Sequence, residues 1–345
     1  MFNDLIGNDR AKDTLRKLSE NGRVPNALLL AGPDGVGKRE FAVRLAAGFL
    51  CENPTGADPC GECPACVHAA VFNIPEPEKK DDFKQVFSSE HPDLGMVVPF
   101  NRNILVDAIR DLEREANFRP YVGKARFFII DDADKMNDAA SNALLKTLEE
   151  PAPTSHIILV TSRSDSLLQT IRSRCQTIRF APVDENAIEE YLTATGRFSH
   201  DDARLIAKLS GGSVGRALSL EADELRSRRS RMLEVLEEIL VKLNRASLLA
   251  VSEAIADAKN KDKFELDLAI LESLIHDVWT LKITGDADRL ANSELANHLS
   301  RLAQNSQVGE LTQWLDEIEL IRGRTKVNIN KRIAVDALFM EMAAR

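Results

Sequence analysis

Four short, continuously apolar runs stand out in the first half of the chain. They are Ala27-Leu28-Leu29-Leu30-Ala31, Leu94-Gly95-Met96-Val97-Val98, Phe127-Phe128-Ile129-Ile130 and Ile157-Ile158-Leu159-Val160. Runs that are apolar throughout, without a polar residue at every second position, predict strands buried on both faces, as in a parallel sheet covered by helices. The segments between them are helical in pattern. Ile104, Ile109 and Leu112 recur at helical spacing within 103–118, and a second helix is predicted from about Ala139 to Glu150, closed by Pro151. The first run ends on Gly32 and a helical pattern starts at Lys38, which reads as strand, glycine loop, helix. Residues 1–24 form a polar, helix-rich entry, and Pro75 to Asp82 a solvated loop. Near Pro182 the pattern changes. From there on no strand is predicted, only helical periodicities such as Leu233, Leu236, Leu240 and Leu243. Gly211-Gly212 marks a break, and the arginines from Arg226 to Arg231 read as a solvated junction. The expected division is an α/β domain over 1–180, a small helical domain over 181–222 and an all-α domain over 223–345.

The length of 345 residues suits two or three domains. Lys and Arg number 45 against 54 Asp and Glu, for a net charge of −9, which disfavours a protein that coats nucleic acid through its overall field. No apolar run approaches the roughly 18 residues of a membrane span, and Met1-Phe2-Asn3-Asp4 opens no secretory signal, so a cytoplasmic protein without membrane contact is expected.

Three groups of residues carry candidate chemistry. Gly32-Pro33-Asp34-Gly35-Val36-Gly37-Lys38-Arg39 fits the phosphate loop G-x-x-x-x-G-K. Glycines at 32, 35 and 37 let backbone N–H groups turn toward a phosphate, and Lys38 with the helix N-terminus adds positive charge. Arg39 stands where a hydroxyl would ligate Mg²⁺, so the loop is a candidate for ATP but not for its efficient hydrolysis. Asp131 and Asp132 follow the third apolar run, where a Walker B pair would lie. The first carboxylate would reach Mg²⁺ and the second would polarise the attacking water. Active ATPases of this kind carry Glu at the second position, and Asp132 is one methylene shorter.

Cys51, Cys60, Cys63 and Cys66 supply four thiolates at C-x8-C-x2-C-x2-C spacing. Disulfides and an iron–sulfur cluster are alternatives. In a reducing compartment with no redox partner site, a closed structural Zn²⁺ that folds an insertion is favoured.

Asn142-Ala143-Leu144-Leu145-Lys146-Thr147-Leu148-Glu149-Glu150-Pro151 and Ile171-Arg172-Ser173-Arg174-Cys175 resemble the bacterial clamp-loader branch of the AAA+ ATPases. The glycine loop, Asp131-Asp132-Ala133-Asp134 and the cysteines lie in matching order, so the likeness covers most of residues 1–222. Asn328-Ile329-Asn330 and the helix after it are similar to the collar domain of that family. The resemblance implies a P-loop domain with a parallel sheet and a zinc-binding insertion, then a helical lid and an all-α collar. It also implies a part in loading the sliding clamp onto primed DNA during replication, within DNA polymerase III and with no polymerase activity of its own. Arg39 and Asp132 set the chain apart from the ATP-hydrolysing gamma/tau type, which carries the hydroxyl and a D-E pair. The partners implied are gamma/tau and delta subunits, the clamp and primer-template DNA through the complex.

By the same resemblance, Arg174 is an arginine finger for a neighbour's ATP, and Arg172 is structural. Arg216 holds the sensor-2 position, and Thr161-Ser162 the strand end of sensor 1, with Ser162 near the nucleotide. Cys175 is expected to be buried and unreactive. Arg322, Arg324, Lys326, Lys331 and Arg332 form a basic segment, expected to pack between subunits in the collar. Two other readings stay open: a self-sufficient ATPase of the gamma/tau type, and a zinc-dependent DNA-binding adaptor with an AAA+ shell.

Overall fold

The computed structural model describes residues 2, 4–20, 22, 24–56, 58–242, 245–256, 263–325 and 330–344. Leu243, Lys326, Asn328 and Ile329, singled out in the sequence, lie outside them. The chain divides into two compact units: residues 1–184 with 212–215, and residues 185–211 with 216–345.

In the first unit the elements are α1 (Asp9–Glu20), β1 (Ala27–Ala31), α2 (Lys38–Leu50), α3 (Pro64–Ala69), β2 (Phe87–Ser88) and β3 (Leu94–Val97). There follow α4 (Val106–Ala116), β4 (Arg126–Ile130), α5 (Asp138–Glu149), β5 (Ser155–Thr161), α6 (Gln169–Arg172) and β6 (Gln176–Arg179). The six strands form one sheet in the order β2-β3-β4-β5-β1-β6. All neighbours are parallel except the short edge pair β2–β3. The pleat sends alternate side chains to opposite faces. Leu28, Leu30, Phe127, Ile129, Ile158 and Val160 join one core with α2. Leu29, Phe128, Ile130, Ile157 and Leu159 join the other with α4 and α5. Two covered faces are why these strands are apolar at every position. Asn137 caps α5, its side chain accepting the Ala140 N–H. The register aligns β1 with β5 from Ala27 opposite Ile157 to Ala31 opposite Thr161, so the loops after β1, β4 and β5 leave the same edge of the sheet.

The second unit is helical: α7 (Glu185–Ala194), α8 (His200–Ser210), most of α9 (Val214–Ser219), α10 (Ala222–Glu237), α11 (Arg245–Ala256), α12 (Phe264–Thr284), α13 (Ala296–Gln304), α14 (Val308–Thr325) and α15 (Lys331–Met342). No strand lies beyond β6 among the described residues. Arg226–Arg231 is not a solvated junction. It lies within α10, and Arg228 and Arg229 are buried at 6% and 9% exposure. Arg228 Nη1 donates to both oxygens of the fully buried Asp267, at 2.9 and 2.8 Å, while Arg229 pairs with Glu294. Two adjacent arginines face inward because each meets a carboxylate from another part of this unit. Arg226 pairs with Asp202, and Asp202 accepts the Ser199 hydroxyl at 2.6 Å.

Candidate nucleotide and metal sites

The glycine loop follows β1 directly. Gly32 N–H donates to the Thr161 carbonyl at 3.2 Å, and a Cβ on Gly32 would fall 2.4 Å from the Phe180 carbonyl, so only glycine fits. Gly35 and Gly37 take φ +71° and +91°, a left-handed backbone that costs glycine little and lets the loop curl into α2. Gly215 N–H donates to the Gly35 carbonyl at 2.8 Å, bracing the loop from behind, a contact between residues far apart in sequence.

Lys38 is buried, and its ammonium donates to the Gly32 and Pro33 carbonyls at 2.7 and 2.5 Å. Burial lowers its pKa, opposed by the nearby carboxylates of Asp34, Asp131, Asp132 and Asp134. The lysine thus braces its own loop, with its charge at the place where a phosphate would sit.

The three carboxylates after β4 each have a cation from this chain. Arg39 Nη1 lies 3.3 Å from Asp131 Oδ2. Burial raises the pKa of Asp131, and the facing Arg39 opposes that rise. Asp132 sits in the left-handed region at φ +50°, its carboxylate 2.7 Å from Lys135 Nζ. Asp134 accepts the Thr161 hydroxyl at 2.7 Å, the Ser162 N–H at 3.3 Å and the Arg163 guanidinium at 3.1 and 3.0 Å. Burial alone would raise the pKa of Asp134; the Thr161 and Arg163 hydrogen bonds outweigh it and hold the carboxyl below its usual range. Asp134 therefore locks the end of β5 to the end of β4. The sequence pattern gives Asp134 a place in a motif but no role, because its partner Thr161 lies 27 residues further along the chain.

A divalent metal tests poorly against this donor set. Position 39 offers no hydroxyl, and its guanidinium occupies the carboxylate that would carry the metal.

Ser162 lines a cleft of about 490 Å³ together with Gly32, Pro33, Arg172 and Arg179. Arg174 is exposed just past α6, where it donates to the Thr170 carbonyl at 2.9 Å and to Glu149 at 2.6 Å. Arg172 pairs with Asp165 at 3.0 Å. Burial pushes the Cys175 thiol up to about 11, which leaves it protonated at neutral pH. Arg216 belongs to the second unit, where burial lowers its pKa, helped by Arg322 and opposed by Glu265. In the basic segment Arg322 pairs with Glu272 and Arg332 with Glu253, while Lys331 lies over the Phe264 ring. Asn330 caps α15 by accepting the Ile333 N–H.

Cys51, Cys60, Cys63 and Cys66 bring their four sulfurs within 4.8 Å of one another. The Cys60–Cys66 and Cys63–Cys51 sulfur pairs are each 3.9 Å apart, far beyond a disulfide and close to the ~3.8 Å edge of a tetrahedron with metal–sulfur bonds of about 2.3 Å. Backbone N–H groups of Cys60 and Cys63 point at the sulfurs of Cys51 and Cys60, at 3.2 and 3.3 Å, an arrangement that favours thiolates. The group can hold a metal ion, and its donors fit a closed site.

The family model described as "DNA polymerase III, delta subunit" matches residues 7–184. The chain is 30% identical to DNA polymerase III subunit delta' of Bacillus subtilis over 90% of its own length and 88% of that protein. It is 29% identical to the delta' subunit of Escherichia coli, over 93% of this chain and 90% of that one. It is 24% identical to the tau subunit of Salmonella typhimurium, over 99% of this chain but only 54% of the longer protein. A family match spanning more than half of the residues, joined to these full-length likenesses, leads to one conclusion: the chain belongs to the delta-prime family of DNA polymerase III clamp-loader subunits.

Proposed function

We propose that this chain is the non-hydrolysing, fixed member of a clamp-loader assembly, and that it lends Arg174 to ATP held by an adjacent gamma/tau subunit. The observation that carries the reading is the contrast between two arginines. Both are solvent-exposed, but Arg39 pairs with the chain's own Asp131 beside the glycine loop, while Arg174 lies just past α6, held by Glu149 and the Thr170 carbonyl. A guanidinium brought to a transferring phosphoryl group neutralises the charge that builds on it, an effect worth about three to five powers of ten at the site served. Glu149 holds the side chain until a neighbour's phosphates compete for it.

In this reading the loop from Gly32 to Lys38 takes at most the phosphates of a bound nucleotide, with Ser162 and Arg216 as the sensor positions. Asp132, paired with Lys135, does not activate water. Cys51, Cys60, Cys63 and Cys66 hold Zn²⁺, which supplies folding energy to the 51–69 insertion and no chemistry. Residues 1–180 form the P-loop domain, 181–222 the lid and 223–345 the collar that joins gamma/tau and delta, and the complex acts on the clamp and primed DNA in the cytoplasm.

The test is reconstitution of the complex with gamma/tau, delta and clamp, comparing wild type with Arg174→Ala and Arg174→Lys. The expected result is intact assembly with DNA-stimulated ATP turnover reduced by at least the share of the site that Arg174 serves, and little rescue by Lys, which lacks the planar fork. Unchanged turnover in Arg174→Ala overturns the assignment.

A further inference from the structure

We infer that Arg39 takes the place of the divalent cation in this P-loop, so that any phosphate ligand of the loop binds without Mg²⁺. This goes beyond the role proposed for Arg174 and rests on different residues. Three observations converge on it. The Arg39 guanidinium is 3.3 Å from Asp131 Oδ2, across 92 residues of sequence, on the carboxylate to which a metal would have to be tethered. The other two acids at the end of β4 are equally engaged, Asp132 by Lys135 and Asp134 by Arg163 and Thr161, which leaves no unpaired carboxylate there to recruit a dication. The chain position that would give a metal its hydroxyl ligand is Arg39 itself.

A dication entering this site would lose two ligands and stand beside a fixed positive charge. A phosphate entering it would meet Lys38, the N–H groups at the start of α2 and the solvent-facing side of Arg39. In this chain a tethered cation therefore stands where a diffusible one would bind. A tethered guanidinium cannot complete the octahedral oxygen cage that Mg²⁺ demands, nor bridge phosphates as that ion does.

The experiment titrates a fluorescent ATP analogue into the full chain, in excess Mg²⁺ and in EDTA, for wild type, Arg39→Ser, Asp131→Asn and the double variant. Arg39 is exposed, so its replacement leaves the core intact, and far-UV circular dichroism checks each variant. Wild type is expected to show the same affinity in both conditions to within about twofold, including the case of no binding in either. Arg39→Ser, with hydroxyl and free Asp131 both present, is expected to bind about tenfold or more tightly with Mg²⁺ than without. The double variant is expected to lose that dependence, because its metal-bearing carboxylate is gone. A wild type whose affinity rises tenfold with Mg²⁺, or an Arg39→Ser that gains no Mg²⁺ dependence, overturns the inference. Neither result bears on Arg174, whose test reads a neighbour's ATP.

Discussion

Removing Arg228 strands a carboxylate in the middle of the helical unit. Asp267 is fully buried, and two of its hydrogen bonds, at 2.9 and 2.8 Å, come from one nitrogen of Arg228. Glu224, the other partner of Arg228, keeps Lys263 when the arginine is lost, so the damage is concentrated on Asp267. Breaking a buried pair from one side costs about 3–5 kcal/mol, because an uncompensated charge stays in the interior. At roughly 2–4 °C per kcal/mol for a unit of this size, Arg228→Met lowers the unfolding midpoint by about 6–20 °C. Arg228→Met with Asp267→Leu removes both charges and fills similar volume, and is expected to lie within about 1 kcal/mol of wild type. Both tryptophans, Trp279 and Trp314, belong to this unit, so their fluorescence in a urea titration follows its unfolding separately from that of the sheet. A single variant that costs under 1 kcal/mol, or a double variant as damaged as the single, refutes the view that Asp267 depends on Arg228.

Other outcomes follow from the first unit. Metal analysis of the purified chain is expected to give about one zinc per chain, and Cys63→Ser close to none, with faster proteolysis confined to the 51–69 insertion. The carboxyl of Asp134 is held below its usual range, so its contribution is complete above the unfolded value near 3.9 and fades as pH falls through the lower folded one. The stability gap between wild type and Asp134→Asn, followed by circular dichroism, should be flat from about pH 5 to 8 and narrow below about 4. Gly32→Ala forces a Cβ against the Phe180 carbonyl and should cost about 1–3 kcal/mol in thermal unfolding of this unit.

What could be read from the chain alone follows from where each residue ends up. β1, β3, β4 and β5 announce themselves because both faces of each are covered, so every position is apolar. β6 has no such signal: Gln176, Thr177 and Arg179 are exposed and only Ile178 is buried, as an edge strand allows. β2 is two residues long and antiparallel, too short to leave a period. The arginines of α10 misled for a related reason. A run of charges looks solvated until the carboxylates that bury it, Asp267 and Glu294, arrive from later in the chain. At the glycine loop the residue types and spacing were legible, and so was the missing hydroxyl at position 39. The pairing of Arg39 with Asp131 and of Asp134 with Thr161 was not, since each depends on the register that sets β1, β4 and β5 side by side. The cysteines were legible because their spacing is local.

The central claim is that this chain does not turn over ATP by itself. The most direct measurement incubates the purified chain alone with Mg²⁺ and radiolabelled ATP, and follows bound nucleotide and released phosphate together. No release above background is the predicted result, whether or not nucleotide is retained. Release that disappears in Lys38→Ala would contradict the account and make the chain a motor in its own right.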